Sequence, residues 1–584
     1  MLSENALKVL ARRYLRRDGT GGLIEDPAGM FQRVATHVAG AEKLYRQGNE
    51  LPWREKFYRV MSGLEFLPNS PTLMNAGRER GQLAACFVLP VEDSMESIFE
   101  TLKQTALIQQ SGGGTGFSFS RLRPAGDLVR STMGVASGPL SFMTVYDVAT
   151  EVIKQGSARR GANMAVLRID HPDVEDFIRA KRKRDRLNNF NLSVGVTDGF
   201  MEAVAGGASF SLINPRTGRE TRRVDARKLF DLLTEAAWEN GEPGILFLDR
   251  INVANPTPAL GKFESTNPCG EQPLLPYESC NLGSLNLVKM LQKTGPRRWE
   301  IDFAKLADTI HTAVRFLDNV IDVNYFPLAD VRAMTLANRK IGLGVMGFAD
   351  MLIYLGIPYN SAEAVQTAET LMAFITKTAL AASAELAEER GSFPNFMRSV
   401  YPAQRVSALR NATLTTIAPT GTISIIAGCS SGIEPLFAVA LSRNVLDRDV
   451  LGDINPVFLA LAREYGFDQP EILAEVAREG TIGRGEGIPE HVRACFVTAH
   501  DIDPRWHIRM QAAFQRHTHN AVSKTINYPA AASVEDVRRG FWLAFQHRCK
   551  GLTVYRDGSR AEQVLSFGVQ TTHCETITGS SCEI

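Results

Sequence analysis

The chain has little cysteine for its length. Its 584 residues include eight cysteines, at positions 86, 269, 280, 429, 495, 549, 574 and 582. Such sparse cysteines exclude the disulfide framework of a small secreted domain. No Cys-x-x-Cys pair occurs and no second ligand pair accompanies Cys269 and Cys280, so the sequence predicts no metal site. The cysteines are therefore expected to be buried or reactive thiols.

Charge of one sign and long apolar runs are also missing. Lys and Arg number 65 and Asp and Glu 64, so the formal net charge of +1 gives no electrostatic reason to expect nucleic acid or a membrane as a partner. No apolar run is long enough to span a bilayer, and the first residues lack the basic and apolar regions of a signal peptide. We therefore expect a cytoplasmic protein.

The glycine-rich motifs of common nucleotide-binding proteins are absent or out of context. No Gly-x-x-x-x-Gly-Lys-Ser/Thr sequence occurs, which argues against a P-loop kinase or ATPase. Residues 342–347, GLGVMG, match the dinucleotide-binding pattern, but the preceding residues 337–340, ANRK, do not resemble a buried strand. We expect these glycines to permit close packing instead.

Composition and periodicity indicate a large α/β protein. With 44% hydrophobic and 22% charged residues, the chain can bury an ample core. Apolar residues recur at helical spacing over residues 5–17, 28–47 and 54–62, which predicts an N-terminal helical layer. From Leu83 onward, short apolar runs alternate with helical stretches, as in an α/β body. The predicted divisions are a helical region at residues 1–65, one large domain at 66–560 and a tail at 561–584.

Residues 267–271, NPCGE, carry the most informative arrangement of polar side chains. Glu271 lies two residues after Cys269 and can accept a proton from a bound hydroxyl, while the amide of Asn267 can orient a neighbouring hydroxyl. Cys280 follows in the sequence ESCNL. Taken alone, a cysteine in such a turn is more often a small buried thiol than a reactive group. Its interpretation therefore depends on the rest of the chain.

Two further segments are candidates for binding phosphate. Residues 419–424, PTGTIS, offer three hydroxyls and backbone N–H groups ahead of an apolar run that can begin a helix, although an ordinary helix cap is an equal alternative. Residues 111–116, SGGGTG, permit close approach of the backbone to a ligand or to another segment. Arg121, Arg123 and Arg130 follow and can donate to a polyphosphate, or are simply surface arginines.

In combination, these segments resemble a class II ribonucleotide reductase, the adenosylcobalamin-dependent kind. The similarity extends over nearly the whole chain. It is carried by FLPNSPTLMN at residues 66–75, NPCGE at 267–271, PTGTIS at 419–424 and AVSKTIN at 521–527. The resemblance implies a ten-stranded α/β barrel of two parallel five-stranded halves, with the Cys269 loop as a finger through its centre and a helical layer ahead of it.

The resemblance also implies the reduction of ribonucleotides to 2′-deoxyribonucleotides by a thiyl-radical mechanism that adenosylcobalamin initiates. The thiyl radical of Cys269 would remove the 3′ hydrogen of the ribose. Glu271 would take the proton of the 3′-hydroxyl, and Asn267 would hold the sugar hydroxyls. Cys86 and Cys280 would supply the reducing electrons and finish as a disulfide. Such chemistry requires a dry, shaped cavity.

By the same resemblance, further positions contact the substrate and an allosteric effector. The expected substrate contacts are Ser70, Ala85, Gly114, Thr420, Gly421, Thr422, Ile423 and Ser424. Asp93, Arg123 and Arg130 match positions that bind a dNTP or ATP effector. Arg159 and Arg160 lie in a loop that relays the identity of the effector to the substrate site.

The resemblance further implies a homodimer and an external reductant. Residues 93–110 carry an apolar stripe, with Asp93 or Ser94 as N-cap, that we expect to contact a second subunit. Cys574 and Cys582 are candidates for a shuttle that passes electrons from a dithiol such as thioredoxin, or they belong to a shortened end. Ribonucleoside diphosphates are favoured over triphosphates as substrates.

Absences separate the classes of this family. A class I catalytic subunit receives its radical from a metal-bearing partner through two adjacent tyrosines near the C-terminus, whereas residues 552–557, LTVYRD, contain one tyrosine. We found no glycyl-radical segment of the class III type. These two absences favour class II. A class I catalytic subunit, which needs a metal-bearing radical partner, is the main alternative. A non-enzymatic nucleotide sensor is a remote one, because it would leave the three cysteines of the expected site without a purpose.

Overall fold

The computed structural model describes residues 2–45, 49–129, 133–153, 161–182, 186–445, 449–482, 487–559 and 565–569. The helices in these ranges are α1 Glu4–Arg13, α2 Pro27–Ala39, α3 Glu50–Ser62, α4 Ser70–Asn75, α5 Met95–Gln110, α6 Pro139–Val152, α7 Val174–Arg179, α8 Asp198–Gly206, α9 Ala226–Asn240, α10 Leu248–Val253, α11 Phe303–Val323, α12 Ala329–Asn338, α13 Phe348–Leu355, α14 Ala362–Arg390, α15 Ile423–Ala427, α16 Pro456–Tyr465, α17 Pro470–Glu479, α18 Glu490–Arg493, α19 Pro504–Gln515 and α20 Val534–Gln546.

The strands are β1 Phe66–Pro68, β2 Cys86–Leu89, β3 Gly114–Ser118, β4 Leu128–Val129, β5 Gly134–Val135, β6 Asn163–Arg168, β7 Phe190–Val196, β8 Ser209–Ile213, β9 Glu220–Asp225, β10 Gly244–Phe247, β11 Ser265–Thr266, β12 Pro273–Leu274, β13 Ser279–Asn286, β14 Leu291–Gly295, β15 Arg298–Ile301, β16 Ile341–Met346, β17 Ala440–Val445, β18 Asp449–Ile454, β19 Thr525–Tyr528, β20 Gly551–Arg556 and β21 Leu565–Phe567. Short 3₁₀ helices span Gly40–Leu44, Pro258–Leu260, Leu287–Met290 and Phe396–Arg398.

The first three helices form the expected helical layer, and their apolar faces share one core with α11 and α14. Side chains that accept backbone N–H groups cap each of them: Ser3, Asp26 and Asn49. The predicted spans 5–17 and 28–47 run past the observed ends, because α1 stops at Arg13 and α2 at Ala39. After α2 the chain tightens into the Gly40–Leu44 3₁₀ helix, a common way to finish a helix.

Two parallel halves make up the barrel. In the first half β2, β3, β6, β7 and β10 are successive parallel neighbours. In the second half β13 pairs with β16 and β20 with β19. The extended segment 413–417 joins these pairs through parallel bridges, Leu343 with Thr415 and Ile417 with Val522.

The halves meet at two antiparallel junctions, β2 with β13 and β10 with β20. Five strands in each half, counting residues 413–417 as one, therefore close a ten-stranded barrel. This confirms the expected fold class. The sequence GLGVMG belongs to β16, where a Cβ added at Gly344 would lie 2.3 Å from the Thr416 carbonyl oxygen. Its glycines therefore serve strand packing, as predicted.

A buried ion network fastens the helical layer to the barrel. Glu42, in the first 3₁₀ helix, accepts hydrogen bonds from Arg315 of α11 at 2.6 Å and from Arg390 of α14 at 2.7 Å. Asp318 of α11 lies 2.9 Å from Arg339, which precedes β16, and 3.1 Å from Arg390. Burial alone would raise the pKa of Asp318, but the surrounding arginines lower it, so this carboxylate stays charged.

The β11–β12 hairpin lies inside the barrel. Its strands pair through Ser265 with Leu274 and Thr266 with Pro273. The carbonyl oxygen of Thr266 lies so close to β3 that a Cβ added at Gly116 would be 1.8 Å from it. Only glycine allows this approach of two backbones. The expected finger loop is therefore present, and the barrel wall is shaped to receive it.

Within the described ranges, no helix is both long enough and apolar enough to cross a membrane.

Replacement of Gly116 by Ala should dislodge the hairpin. The added methyl group would meet a backbone oxygen that cannot rotate away, and overpacking of this kind costs about 1–3 kcal/mol. We expect a lower free energy of unfolding in chemical denaturation and faster amide hydrogen exchange over residues 265–274. Gly199→Ala in α8 is the control, since nothing lies within 4 Å of its added Cβ. Equal behaviour of the two variants would contradict this view of the contact.

Lys550, just before β20, is buried without an ion-pair partner among the described residues. Its ammonium group donates to the carbonyl oxygens of His519, at 2.6 Å, and of Asn520. Burial lowers its pKa from 10.5 to about 7. Between these two values the unfolded chain binds a proton that the folded chain does not, so this group makes stability rise with pH.

The variant Lys550→Met should lose that pH dependence. From pH 7 to pH 9 the wild type should gain about 2 kcal/mol of unfolding free energy in total from this group, and the variant none. Chemical denaturation of both proteins at the two pH values measures the difference. Parallel pH profiles would show that Lys550 keeps its ordinary pKa in the folded protein.

Candidate functional site

The finger loop presents Cys269 at its tip. The backbone N–H of Asn267 donates to the carbonyl of Gln272 at 3.2 Å, and the side-chain oxygen of Asn267 accepts from the Gln272 N–H at 3.0 Å. Gly270 donates to the Asn267 carbonyl at 3.1 Å and has φ +83°, a conformation that suits glycine. These bonds close a tight turn, so Cys269 is exposed while Asn267 and Glu271 are buried.

Barrel strands on opposite sides hold the loop in place. Asn191 of β7 donates its side-chain amide to the Pro268 carbonyl at 2.7 Å. The Glu271 carbonyl accepts from the Thr416 hydroxyl and from the Ala521 N–H, both at 2.9 Å. Sequence reasoning missed Asn191 and Thr416. The only available signal for Asn191 was a polar residue in a mostly apolar strand, Phe190–Val196.

Cys86 and Cys280 face each other across the antiparallel junction of β2 and β13. Directly opposed residues in such a pair have Cα atoms about 4.5–5.5 Å apart, within the roughly 4.4–6.8 Å that a disulfide requires. The Asn267 side chain donates to the Cys86 sulfur at 3.2 Å, so the finger loop contacts this pair. Cys86 and Cys280 therefore lie beside the loop that carries Cys269.

Burial raises the pKa of Cys280 well above its usual value. Lys340 opposes this shift, while the negative charges of Glu271 and Glu278 add to it. The thiol donates to the Asn281 carbonyl at 3.3 Å. Cys280 is therefore protonated at neutral pH. It would lose its proton when it is oxidised, or to a base close by.

Two of the expected substrate contacts lie beside the finger loop. The Gly114 N–H donates to the Ala85 carbonyl at 2.9 Å, and a Cβ added at Gly114 would be 3.0 Å from Pro268. The Ala85 N–H in turn bonds the Cys280 carbonyl at 3.3 Å. Ser70 begins α4, and its hydroxyl pairs with that of Tyr14 at 2.7 Å.

The segment 420–424 follows the 413–417 strand and leads into α15, which begins at Ile423. Thr420 has φ +54°, and its hydroxyl accepts from the Gly432 N–H at 2.7 Å. The Ser424 hydroxyl lies 2.9 Å from that of Ser431. The loop is thus held from behind, and the Ser424 N–H is itself bonded to the Thr420 carbonyl at 2.9 Å.

A cavity of about 1190 Å³ opens beside this loop. Ordinary small-ligand pockets measure about 300–1,000 Å³, so this one suits a larger ligand. It lies between α15, the three-stranded β18–β17–β21 sheet and the ends of β19 and β20. Polar and apolar side chains from distant parts of the chain line it, among them Ser424, Glu434, Phe437, Asn455, Asn527 and Tyr555. The sequence offered no direct sign of this cavity.

The candidate effector residues are described only in part. Arg123 forms an ion pair with Asp93 at 2.8 Å, and its backbone N–H also donates to Asp93 at 3.1 Å. Arg130, the loop residues Arg159 and Arg160, and the candidate shuttle residues Cys574 and Cys582 lie outside the described residues.

Ser94 caps α5 by accepting from the Ser97 N–H at 3.1 Å, as one of the two expected caps. The predicted apolar stripe divides in the structure. Ile98 packs into the core, whereas Met95 and Phe99 are exposed to 56% and 45%. Neighbouring α6 also exposes Val148 and Val152.

Comparison with known proteins gives matches over nearly the whole chain. The all-alpha domain of ribonucleotide reductase matches residues 1–81, and the barrel domain of ribonucleotide reductase matches residues 84–408 and 403–555. A solved structure, the alpha subunit of the class Id ribonucleotide reductase of Actinobacillus ureae, superposes with a TM-score of 0.77 over 95% of this chain and 97% of that chain. At 23% identity that likeness concerns the fold.

Closer relatives carry a more specific name. The vitamin B12-dependent ribonucleoside-diphosphate reductase of Thermoplasma acidophilum is 49% identical, over 98% of this chain and 81% of that protein. A protein of the same name from Mycobacterium tuberculosis strain H37Rv is 52% identical, over 97% of this chain and 79% of that protein. The chain therefore belongs to the ribonucleotide reductase family, in its class II, vitamin B12-dependent branch.

Proposed function

We propose that this protein reduces ribonucleoside diphosphates to 2′-deoxyribonucleoside diphosphates with adenosylcobalamin as cofactor. The observation that carries the proposal is the position of Cys269, at the tip of a loop inside the barrel and beside the opposed Cys86 and Cys280. The Cys269 sulfur is accessible inside the barrel, where bound substrate and cofactor would cover it, and this suits a radical that must be kept from solvent.

Within the site, each side chain of the finger loop has one task. When bound, adenosylcobalamin supplies a radical by homolysis of its cobalt–carbon bond. Cys269 gives up its hydrogen atom, and its sulfur then takes the 3′ hydrogen of the ribose. Glu271 accepts the proton of the 3′-hydroxyl, and Asn267 holds the sugar hydroxyls and contacts Cys86.

Cys86 and Cys280 supply the reducing equivalents. The 2′-hydroxyl leaves as water, and the two thiols lose two electrons and two protons as they form a disulfide. Their direct opposition across β2 and β13 supports this pairing, because opposed residues have Cα atoms within the range of a disulfide. Because its pKa is raised, the Cys280 thiol stays protonated until the sugar is reduced.

The large cavity fits the cofactor. Its volume of about 1190 Å³ exceeds that of ordinary ligand pockets, and its wall combines apolar side chains with hydrogen-bonding ones, as a corrin ring with amide side chains requires. Phe437, Asn527 and Tyr555 would hold the corrinoid, next to the loop at Ser424 that would take the substrate phosphates.

The remaining partners form part of the same proposal. The Asp93–Arg123 pair supports an effector nucleotide site, which Arg130, Arg159 and Arg160 would complete. The exposed apolar side chains of α5 and α6 support a homodimer. Cys574 and Cys582 would pass electrons to the Cys86 and Cys280 pair from a dithiol such as thioredoxin.

An anaerobic assay of the purified protein tests the assignment. With a ribonucleoside diphosphate, a dithiol and adenosylcobalamin, we expect deoxyribonucleotide product, and none without the cobalamin. Cys269→Ala should reduce turnover by several orders of magnitude because no other group in the loop can carry the radical. Cys495→Ala, a buried cysteine outside the site, is the matched control. Full activity of Cys269→Ala, or turnover without cobalamin, would refute the proposal.

The role of the cysteine pair has a separate readout. In a single turnover without external dithiol, the wild type should lose two titratable thiols per product formed. Cys280→Ser should lose none and make little product, because Cys86 then has no partner for a disulfide. Thiol titration after acid quenching measures both values. An equal loss of thiols in the variant would mean that another pair donates the electrons.

A further inference from the structure

Three polar side chains form a connected group at one wall of the large cavity: Glu434 in the wall and the buried Lys524 and His507 behind it. The Lys524 ammonium lies 2.5 Å from a carboxylate oxygen of Glu434 and 3.0 Å from Nδ1 of His507, and it donates to the Thr525 carbonyl at 3.2 Å. Its three N–H bonds are therefore all used. The Lys524 side chain is fully buried. Neither Lys524 nor His507 has a role in the mechanism above.

The hydrogen bonds define the charge of each member. His507 contacts the Ala499 carbonyl with Nε2 at 3.2 Å, and because a carbonyl only accepts, Nε2 carries the proton. Nδ1 is then the acceptor for Lys524, so the ring is neutral. Burial, together with the charge of Lys524, lowers the pKa of His507 well below its usual value and agrees with this tautomer. Lys524 is thus the cation and Glu434 the anion.

Glu434 is the member that reaches the ligand space. Its Oε1 accepts from the Thr525 N–H at 2.8 Å and its Oε2 from Lys524, which fixes the plane of the carboxylate. A carboxylate has about four acceptor positions, so two stay available. The side chain is 28% exposed and lines the cavity. The charge of Glu434 balances the buried Lys524 ammonium, and its two remaining acceptor positions are available on the side that lines the cavity.

We propose that Glu434 is a binding residue for the cobalamin cofactor, which accepts N–H or O–H groups of that molecule, and that Lys524 and His507 are its positioning residues. This inference rests on the proposed function. A carboxylate repels phosphate, so the substrate phosphates are not its ligand. The corrin periphery carries primary amides and the adenosyl group carries ribose hydroxyls, and both donate the hydrogen bonds that Glu434 can accept.

Cofactor binding tests the inference without turnover. The dissociation constants of hydroxocobalamin and adenosylcobalamin are measured by absorbance titration for the wild type, Glu434→Ala and Glu434→Gln. We expect Glu434→Ala to bind adenosylcobalamin about tenfold or more weakly, since a hydrogen bond to a charged group is lost. Glu434→Gln, which keeps an acceptor oxygen, should lie between. Weaker binding of both cobalamins points to the corrin amides, and of adenosylcobalamin alone to the ribose.

A control separates binding from folding. Glu464 is also paired with a lysine, Lys293 at 2.7 Å, and is exposed to a similar 23%, but it lies outside the cavity. Glu464→Ala should bind both cobalamins as the wild type does. Thermal unfolding should show that the variants are folded. If Glu434→Ala does not fold, the dissociation constants of Glu434→Gln provide the test.

Steady-state kinetics give the second readout. The loss in Glu434→Ala should appear as a higher KM for adenosylcobalamin at an unchanged kcat, as uniform binding predicts. Unchanged dissociation constants in both variants, or a lower kcat without a change in KM, would overturn the inference while leaving the proposed function intact. A wild type that binds no cobalamin would instead refute the proposed function itself.

Discussion

The close contact between Gly116 and the Thr266 carbonyl is the constraint on which the site depends. A side chain at Gly116 would fill the space that the β11–β12 hairpin occupies. With the hairpin in place, Asn191 from one half of the barrel and Thr416 from the other bind its loop. A loop bonded on both sides has few alternative conformations, so the sulfur of Cys269 is held in one position, as the proposed reaction requires.

The scaffold around this loop is stiffened by buried charge. Glu42 and Asp318 connect the helical layer, α11, α14 and the start of β16 through shared arginines. Such networks add little net stability over an apolar core, but removal of one partner typically costs about 3–5 kcal/mol because a buried charge is left alone. They therefore define one arrangement of the helices around the barrel. At the cavity wall, Lys524 and Glu434 form another ion pair, in which the Lys524 side chain is fully buried.

Several features could be predicted because their signal is local. The capping side chain of Ser94, the helices of the N-terminal layer and the turn at Gly270 follow from residue types within a few positions. Other features carried no local signal. Residues 413–417 complete the barrel through two bridges without forming a regular strand, and Asn191 resembles any polar residue in a strand until its partner, the Pro268 carbonyl, is known.

The sequence by itself determined the candidate reacting groups: NPCGE at residues 267–271 with Cys86 and Cys280, and the phosphate-loop candidate at 419–424. Their order along the chain was enough to indicate the family. Only the tertiary structure decided that Cys86 and Cys280 are direct partners across β2 and β13, and that Glu434 lines a cavity with its charge held by Lys524. The physical reason is that strand pairing and cavity walls join residues far apart in the sequence, 90 positions for Glu434 and Lys524, and no short-range pattern predicts such contacts.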